Sequence, residues 1–436
     1  MTVVLKRPTV PAAPVTIEDT GLSFDLLEQL ALKTLHFTGE LSAAALSTRL
    51  GLLHSVLEPV LQHLKREYLC DVWGGSMGGS SFIYRLTDAG RTRAMLALEQ
   101  SRYVGTAPVP FSQYEAYMRA FDAGPVKAVN RANVRRAFGH LVLSDRVLDQ
   151  LGPAVNGGHS LFVYGPPGNG KTVISQAISG LLSGEVCIPQ AVDFDGHLVQ
   201  VFDPAVHHRV PTALDTSLDR GTSGDARWLR CTRPLVTVGG ELTLQALELS
   251  YNAASRFYQA PIQLLANGGV LVIDDFGRQR CSVVDLLNRW INPLESRTDY
   301  LTLQSGQKMP VPFVVLVVFA TNIKPSELVD EAFLRRIHYK VFAENPSTTD
   351  FKRIFERCCR ERRLAYDEVV VDRLIADFFD QREIALRGCH PRDLIEHALA
   401  LTDYTGAPRQ FTFELLLEAC ASYFLDDHRV RQAHPS

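Results

Sequence analysis

Residues 161–172 read L-F-V-Y-G-P-P-G-N-G-K-T. Four apolar residues predict a buried strand. The loop after it fits G-x-x-x-x-G-K-[ST] in full, and a helix is expected from Lys171 onward. Gly165, Gly168 and Gly170 let backbone N–H groups come close to phosphate oxygens. Pro166, Pro167 and Asn169 complete the loop, and Val173 follows in the helix. A helix N-terminus adds the positive end of its dipole. Lys171 is expected to reach the β- and γ-phosphates, and the Thr172 hydroxyl to ligate Mg²⁺. The stretch predicts an α/β fold with a parallel sheet flanked by helices, and ATP with Mg²⁺ as its ligands.

The flanking sequence extends this reading. Val270 to Ile273 is a second apolar strand, ending in Asp274 and Asp275 and preceded by A-N-G-G at 266–269. A buried parallel strand delivers its C-terminal carboxylates to the ligand edge of the sheet. Asp274 is read as the metal residue and Asp275 as the group that polarises water. Phe313 to Ala320 forms the next strand, with Asn322 just past its end. D-E-A-F-L-R-R-I at 330–337 sets Arg335 and Arg336 after a short helix, and G-C-H-P-R-D-L at 388–394 sets Arg392 at a helix start with Pro391 at N1. The alternative for Arg335 and Arg336 is local pairing with Asp330 or Glu331. From Thr348 to Leu425 the pattern is helical only.

Taken together, these pieces resemble the AAA+ ATPases over about residues 130–430. The resemblance implies that Gly165 to Thr172 is the Walker A loop and that Asp274 with Asp275 is the Walker B pair. It implies sensor 1 at Asn322, an arginine finger at Arg335 or Arg336, sensor 2 at Arg392, and a helical lid over 343–436. Y-L-T-L-Q-S-G-Q-K-M-P-V-P at 300–312 is similar to the hairpin before sensor 1 in the branch containing MoxR-type, magnesium-chelatase-type and enhancer-binding ATPases. The insert 186–265 fits the same branch. A finger that serves a neighbour implies a homo-oligomer, in this family a hexameric ring. The chain departs from the pattern at Asp275, where Glu is usual, and it lacks the G-A-F-T-G-A loop of the enhancer-binding proteins. Tyr103-Val104-Gly105 has the shape of a substrate-threading pore loop but lies in the linker before the nucleotide loop.

Ahead of the core, three helical stretches are expected from Ser23, Ser42 and Val56. Two strands follow, Leu69 to Trp73 and Phe82 to Leu86, joined by G-G-S-M-G-G at 74–79. A helix from Thr87 closes the set, and the order is that of a winged helix. The expected division is a winged-helix domain over 1–105 with a loose arm at 1–20, a connector over 106–154, an α/β core over 155–342 and a lid over 343–436. Residues 1–103 hold ten Lys plus Arg and ten Asp plus Glu. A DNA-binding domain usually presents a basic face, so this balance favours a protein client and leaves DNA as the alternative.

Of 436 residues, 45 are Lys or Arg and 48 are Asp or Glu, so the formal charge of −3 excludes coating of nucleic acid by bulk charge. The longest apolar run, Phe313 to Ala320, is far short of the ~20 residues that cross a bilayer, so no membrane insertion is expected. The opening residues carry no signal-peptide pattern, and the eight cysteines form no C-x-x-C, which together suggest a cytoplasmic protein. His207-His208 is read as part of a surface loop. The expected function is an ATPase that remodels or organises a macromolecular partner. The alternatives are a DNA-associated regulator or replication or transposition helper, and a slow nucleotide switch.

Overall fold

In a computed structural model, residues 10–74, 81–123, 129–158, 160–211, 224–328, 331–406 and 408–424 are described. The central sheet has five strands in the order Leu235–Val238, Val270–Ile273, Leu316–Thr321, Ser160–Tyr164, Tyr339–Phe342. The last two pair in parallel, with Leu161 opposite Tyr339 and Tyr164 opposite Phe342. Leu161, Phe162 and Val163, all of Val270–Ile273, and Val317 to Ala320 have no solvent exposure. Continuous apolar runs of this kind are what a sheet covered on both faces requires. The strand expected from Phe313 begins only at Leu316. The amide of Phe313 donates to the Arg297 carbonyl, and that of Val314 donates to Asn267 Oδ1, so a side chain replaces a ladder partner there.

The chain divides into two compact units, each built from separated segments. One runs to residue 127 and adds Leu182–Val272 and Gln279–Val317. The other comprises Ala128–Leu181, Ile273–Arg278 and the residues from Val318 onward.

The first unit opens with helix Phe24–Thr38, strand Glu40–Ser42, helices Ala43–Leu50 and His54–Arg66, strands Cys70–Trp73 and Ile83–Leu86, and helix Asp88–Gln100. Its three-stranded sheet places Ile83–Leu86 in the middle, antiparallel to both neighbours. Ser23, Ser42 and Thr87 cap their helices by accepting amide hydrogen bonds. Residues 75–80, most of the expected wing tip, lie outside the described residues. A second sheet orders strands Ser250–Asn252, Phe257–Gln259, His197–Gln200, Ala191–Phe194 and Val109–Pro110. Thr298–Thr302 and Lys308–Pro312 form an antiparallel hairpin with Thr298 opposite Pro312.

Two expectations need correction in this unit. Residues 1–9 lie outside the described residues, but 10–20 do not form a loose arm. Ile17–Thr20 is a helical turn with a Thr16–Asp19 capping box. The Pro11 carbonyl accepts from the Asp225 amide, and the Thr20 carbonyl accepts from Arg227. His207 is 1% exposed, not a surface residue. Its Nδ1 accepts from the Asp203 amide and its Nε2 lies 2.9 Å from the Leu265 carbonyl. With both ring nitrogens engaged, burial holds the imidazole below its usual pKa.

In the second unit, helices Thr348–Glu361, Glu368–Leu374, His390–Thr405 and Phe413–Tyr423 surround a core that includes Phe351, Phe379, Leu394 and Leu416. Ser347, Asp367 and Thr412 supply the N-caps that the sequence pattern lacks at Cys389, where Pro391 opens the helix instead.

Candidate nucleotide-binding site

The site is built on the edge where strands Ser160–Tyr164 and Val270–Ile273 end. Gly165, Gly168 and Gly170 adopt φ of 148°, 83° and 69°, all in the region that favours glycine. At Gly165 the requirement is also steric, because a Cβ would sit 2.3 Å from the Ala343 carbonyl oxygen. The loop therefore closes tightly against the exit of strand Tyr339–Phe342 before helix Lys171–Ala177 begins. Pro166, Pro167 and Asn169 lie in this closed turn, and Val173 is 44% exposed on the helix that follows.

Lys171 is 8% exposed, and its Nζ donates to the Pro166 carbonyl at 2.7 Å. Burial pushes its pKa down, while Asp275 and Asp274 act in the opposite direction. The Thr172 hydroxyl donates to Asp274 Oδ2 at 2.7 Å, although 102 residues separate them. A hydroxyl and a carboxylate meeting at the mouth of a phosphate-type loop are hard oxygen donors of the kind Mg²⁺ takes, so these residues fit that ion. Asp275 is solvent-facing with φ of 47°, and its Oδ1 accepts from Asn322 Nδ2 at 3.3 Å. The segment is pinned from below. The Phe276 amide donates to the Ala320 carbonyl, and the Thr321 hydroxyl donates to the Phe276 carbonyl. Lys171, Thr172, Asp274, Asp275 and Asn322 thus form one cluster.

Arg335 and Arg336 follow helix Glu331–Leu334. Arg335 donates to Glu331 at 3.0 Å, with the two side chains 76% and 82% exposed. An exposed i,i+4 pair of this kind is worth only ~0.3–0.5 kcal/mol. The Arg336 carbonyl accepts from Ser160 Oγ. Arg392 pairs with Asp393 at 2.8 Å and is 59% exposed; Asp393 raises its pKa above the ordinary arginine value.

Beside the loop lies a cavity of about 310 Å³ whose walls include Val142, Leu143, Val147, Ile174, Pro346 and Ile354. Ser144 Oγ donates to Glu344 Oε1 at 2.6 Å on its rim. An apolar slot with a few polar groups, next to a phosphate-type loop, suits a flat heteroaromatic base. Asn169 closes the other side. Its amide donates to Asn345 Oδ1 at 2.8 Å, and its Oδ1 accepts from the Gly388 amide at 3.2 Å. The cavity and the Asn169 bridge are not readable from sequence spacing, because the partners lie about 175 and 220 positions away and belong to no local motif.

The family model described as "Magnesium chelatase, subunit ChlI" matches residues 145–190, and one described as "Domain of unknown function (DUF8689)" matches residues 347–422. The chain is 25% identical over 345 residues to competence protein ComM of Haemophilus influenzae, covering 74% of this chain. It spans 57% of the length of that curated relative. Among solved structures, the RuvB Holliday junction branch migration motor of Thermotoga maritima is similar at 15% identity and a TM-score of 0.35, with 69% of this chain and 71% of that chain covered. Domain III of the Thermotoga maritima replication initiation protein DnaA is similar at 14% identity and a TM-score of 0.36, covering 69% and 99%.

Proposed function

We propose that this AAA+ P-loop protein binds ATP with Mg²⁺ at the 165–172 loop and hydrolyses it to remodel or organise a protein partner. The observation that carries the reading is the meeting of Thr172 with Asp274 and of Asp275 with Asn322 around Lys171. Lys171 leaves the Pro166 carbonyl to pair with phosphate. Thr172 and Asp274 hold the metal, which neutralises charge on the phosphate oxygens when bound. Asp275 accepts a hydrogen bond from the attacking water, and Asn322 fixes the orientation of that carboxylate. Arg392 contributes from the lid. Arg335 or Arg336 serves the site of a neighbouring subunit in a homo-oligomeric, six-membered ring; the exposed Arg335–Glu331 pair is weak enough to be exchanged for a phosphate contact.

The helix–strand–helix–helix–hairpin order of residues 24–86 supports a winged helix. Its balanced charge favours a protein contact over DNA. A slow switch is the second reading, supported by Asp275, whose side chain is one methylene shorter than glutamate and is exposed.

Two variants test the proposal. Lys171→Ala removes charge-assisted contacts worth ~1.5–3 kcal/mol each, so ATP affinity falls at least tenfold. Asp275→Asn keeps ATP bound and stops phosphate release. Unchanged affinity in the first variant, or normal turnover in the second, refutes the assignment.

A further inference from the structure

We propose that Arg387 is a further nucleotide-binding residue, a lid cation held along the 165–172 loop to contact the polyphosphate. This rests on the ATP reading above. Two backbone contacts dock the segment 387–389 onto the loop. The Cys389 amide donates to the Gly168 carbonyl at 2.8 Å, and the Gly388 amide donates to Asn169 Oδ1 at 3.2 Å. The Arg387 stem follows the same surface. A Cβ built on Gly168 would lie 3.5 Å from Arg387 Cδ and 3.6 Å from its Cβ, with Cys389 Sγ only 2.6 Å away. Gly168 is thus needed for the docking of this segment as well as for its own left-handed backbone.

The electrostatics agree with the geometry. Arg387 helps to depress the pKa of Lys171, so the two cations share one field. It also acts on His390, which is pushed down to about 4, mainly by burial. Among the described residues, no carboxylate pairs with Arg387, whereas Arg392 is held by Asp393 through Nε at 2.9 Å. Two neighbouring cations with one phosphate-type loop between them form a site that an anion completes. A cation held on a docked backbone is placed to make a charge-assisted contact with phosphate oxygens.

Fluorescent mant-ATP titrated into the full chain provides the test. Arg387→Gln keeps the stem and removes the charge, and affinity falls on the order of tenfold with a flatter salt dependence. Arg387→Lys stays within about threefold of the parent. Amide exchange at 388–390, measured without nucleotide, is unchanged in both, which separates charge from folding. Parental affinity in Arg387→Gln, with Lys171→Ala still defective, overturns the proposal and leaves the ATP reading standing. Equal losses in Arg387→Gln and Arg387→Lys overturn it too, because packing is then the cause. If Lys171→Ala also binds normally, the ATP reading itself fails.

Discussion

Replacing Arg227 by methionine tests what ties the N-terminal segment of the first unit to its insert. Arg227 and Asp225 are each 1% exposed. Arg227 Nε donates to both Asp225 oxygens, and one terminal nitrogen donates to Asp225 Oδ2 at 2.8 Å. The other reaches the carbonyls of Thr20 at 3.1 Å and Pro108 at 3.2 Å. Methionine fills most of the volume but leaves a buried carboxylate without its cation, a loss of ~3–5 kcal/mol. Each orphaned carbonyl adds ~1–3 kcal/mol before the structure relaxes. The terms share partners and do not add fully, so the expected loss is about 4–6 kcal/mol, comparable to the stability of a whole domain. All three tryptophans, Trp73, Trp228 and Trp290, lie in this unit. Their fluorescence during urea unfolding therefore reports it alone, and mant-ATP binding reports the second unit. The midpoint falls steeply in Arg227→Met, and adding Asp225→Leu restores part of it by removing the stranded charge. A loss below about 1 kcal/mol, or a double variant weaker than the single, refutes the reasoning.

Two further outcomes are expected. His390 is 2% exposed with its pKa depressed to about 4. The unfolded chain therefore binds the extra proton first, and stability present above pH 6.5 is lost as pH falls toward 4, by about 3 kcal/mol. In His390→Gln, the unfolding transition without a tryptophan signal loses this part of its pH dependence; an unaltered slope counts against the assignment. For assembly, mixing Lys171→Ala with Arg335→Ala/Arg336→Ala subunits restores part of the ATPase activity, because some interfaces join an intact loop to an intact finger. A mixture no more active than its two parents excludes shared sites.

The nucleotide loop was legible because its chemistry depends on backbone: glycines at fixed spacing, a lysine and a hydroxyl leave few other arrangements. Asp274 was legible because four apolar residues precede it and aim it at the sheet edge. What could not be read arises from long-range contacts. Nothing local to Asn169 indicates Asn345 or Gly388 as partners. His207 looked like a loop residue because its neighbours are polar, yet its two ring nitrogens satisfy a strand exit and a distant carbonyl, which pulls it inside. Pro11 to Thr20 looked loose because the acceptor groups that order it are carbonyls, invisible to composition, and their donors are Asp225 and Arg227.

The central sheet imposes an order on synthesis. Ser160–Tyr164 lies between Leu316–Thr321 and Tyr339–Phe342. When the ribosome has made Leu161, Phe162 and Val163, both neighbouring strands are still untranslated. From Tyr164 to Leu316, the start of the first of these neighbours, there are 152 positions, about 8–30 s of translation. Throughout that interval this buried strand has no partner on either edge. The phosphate loop cannot take its closed form either, since the Ala343 carbonyl that Gly165 packs against is made later still. Neither strand Ser160–Tyr164 nor the loop beside it can reach its final packing until the chain has been made past Ala343.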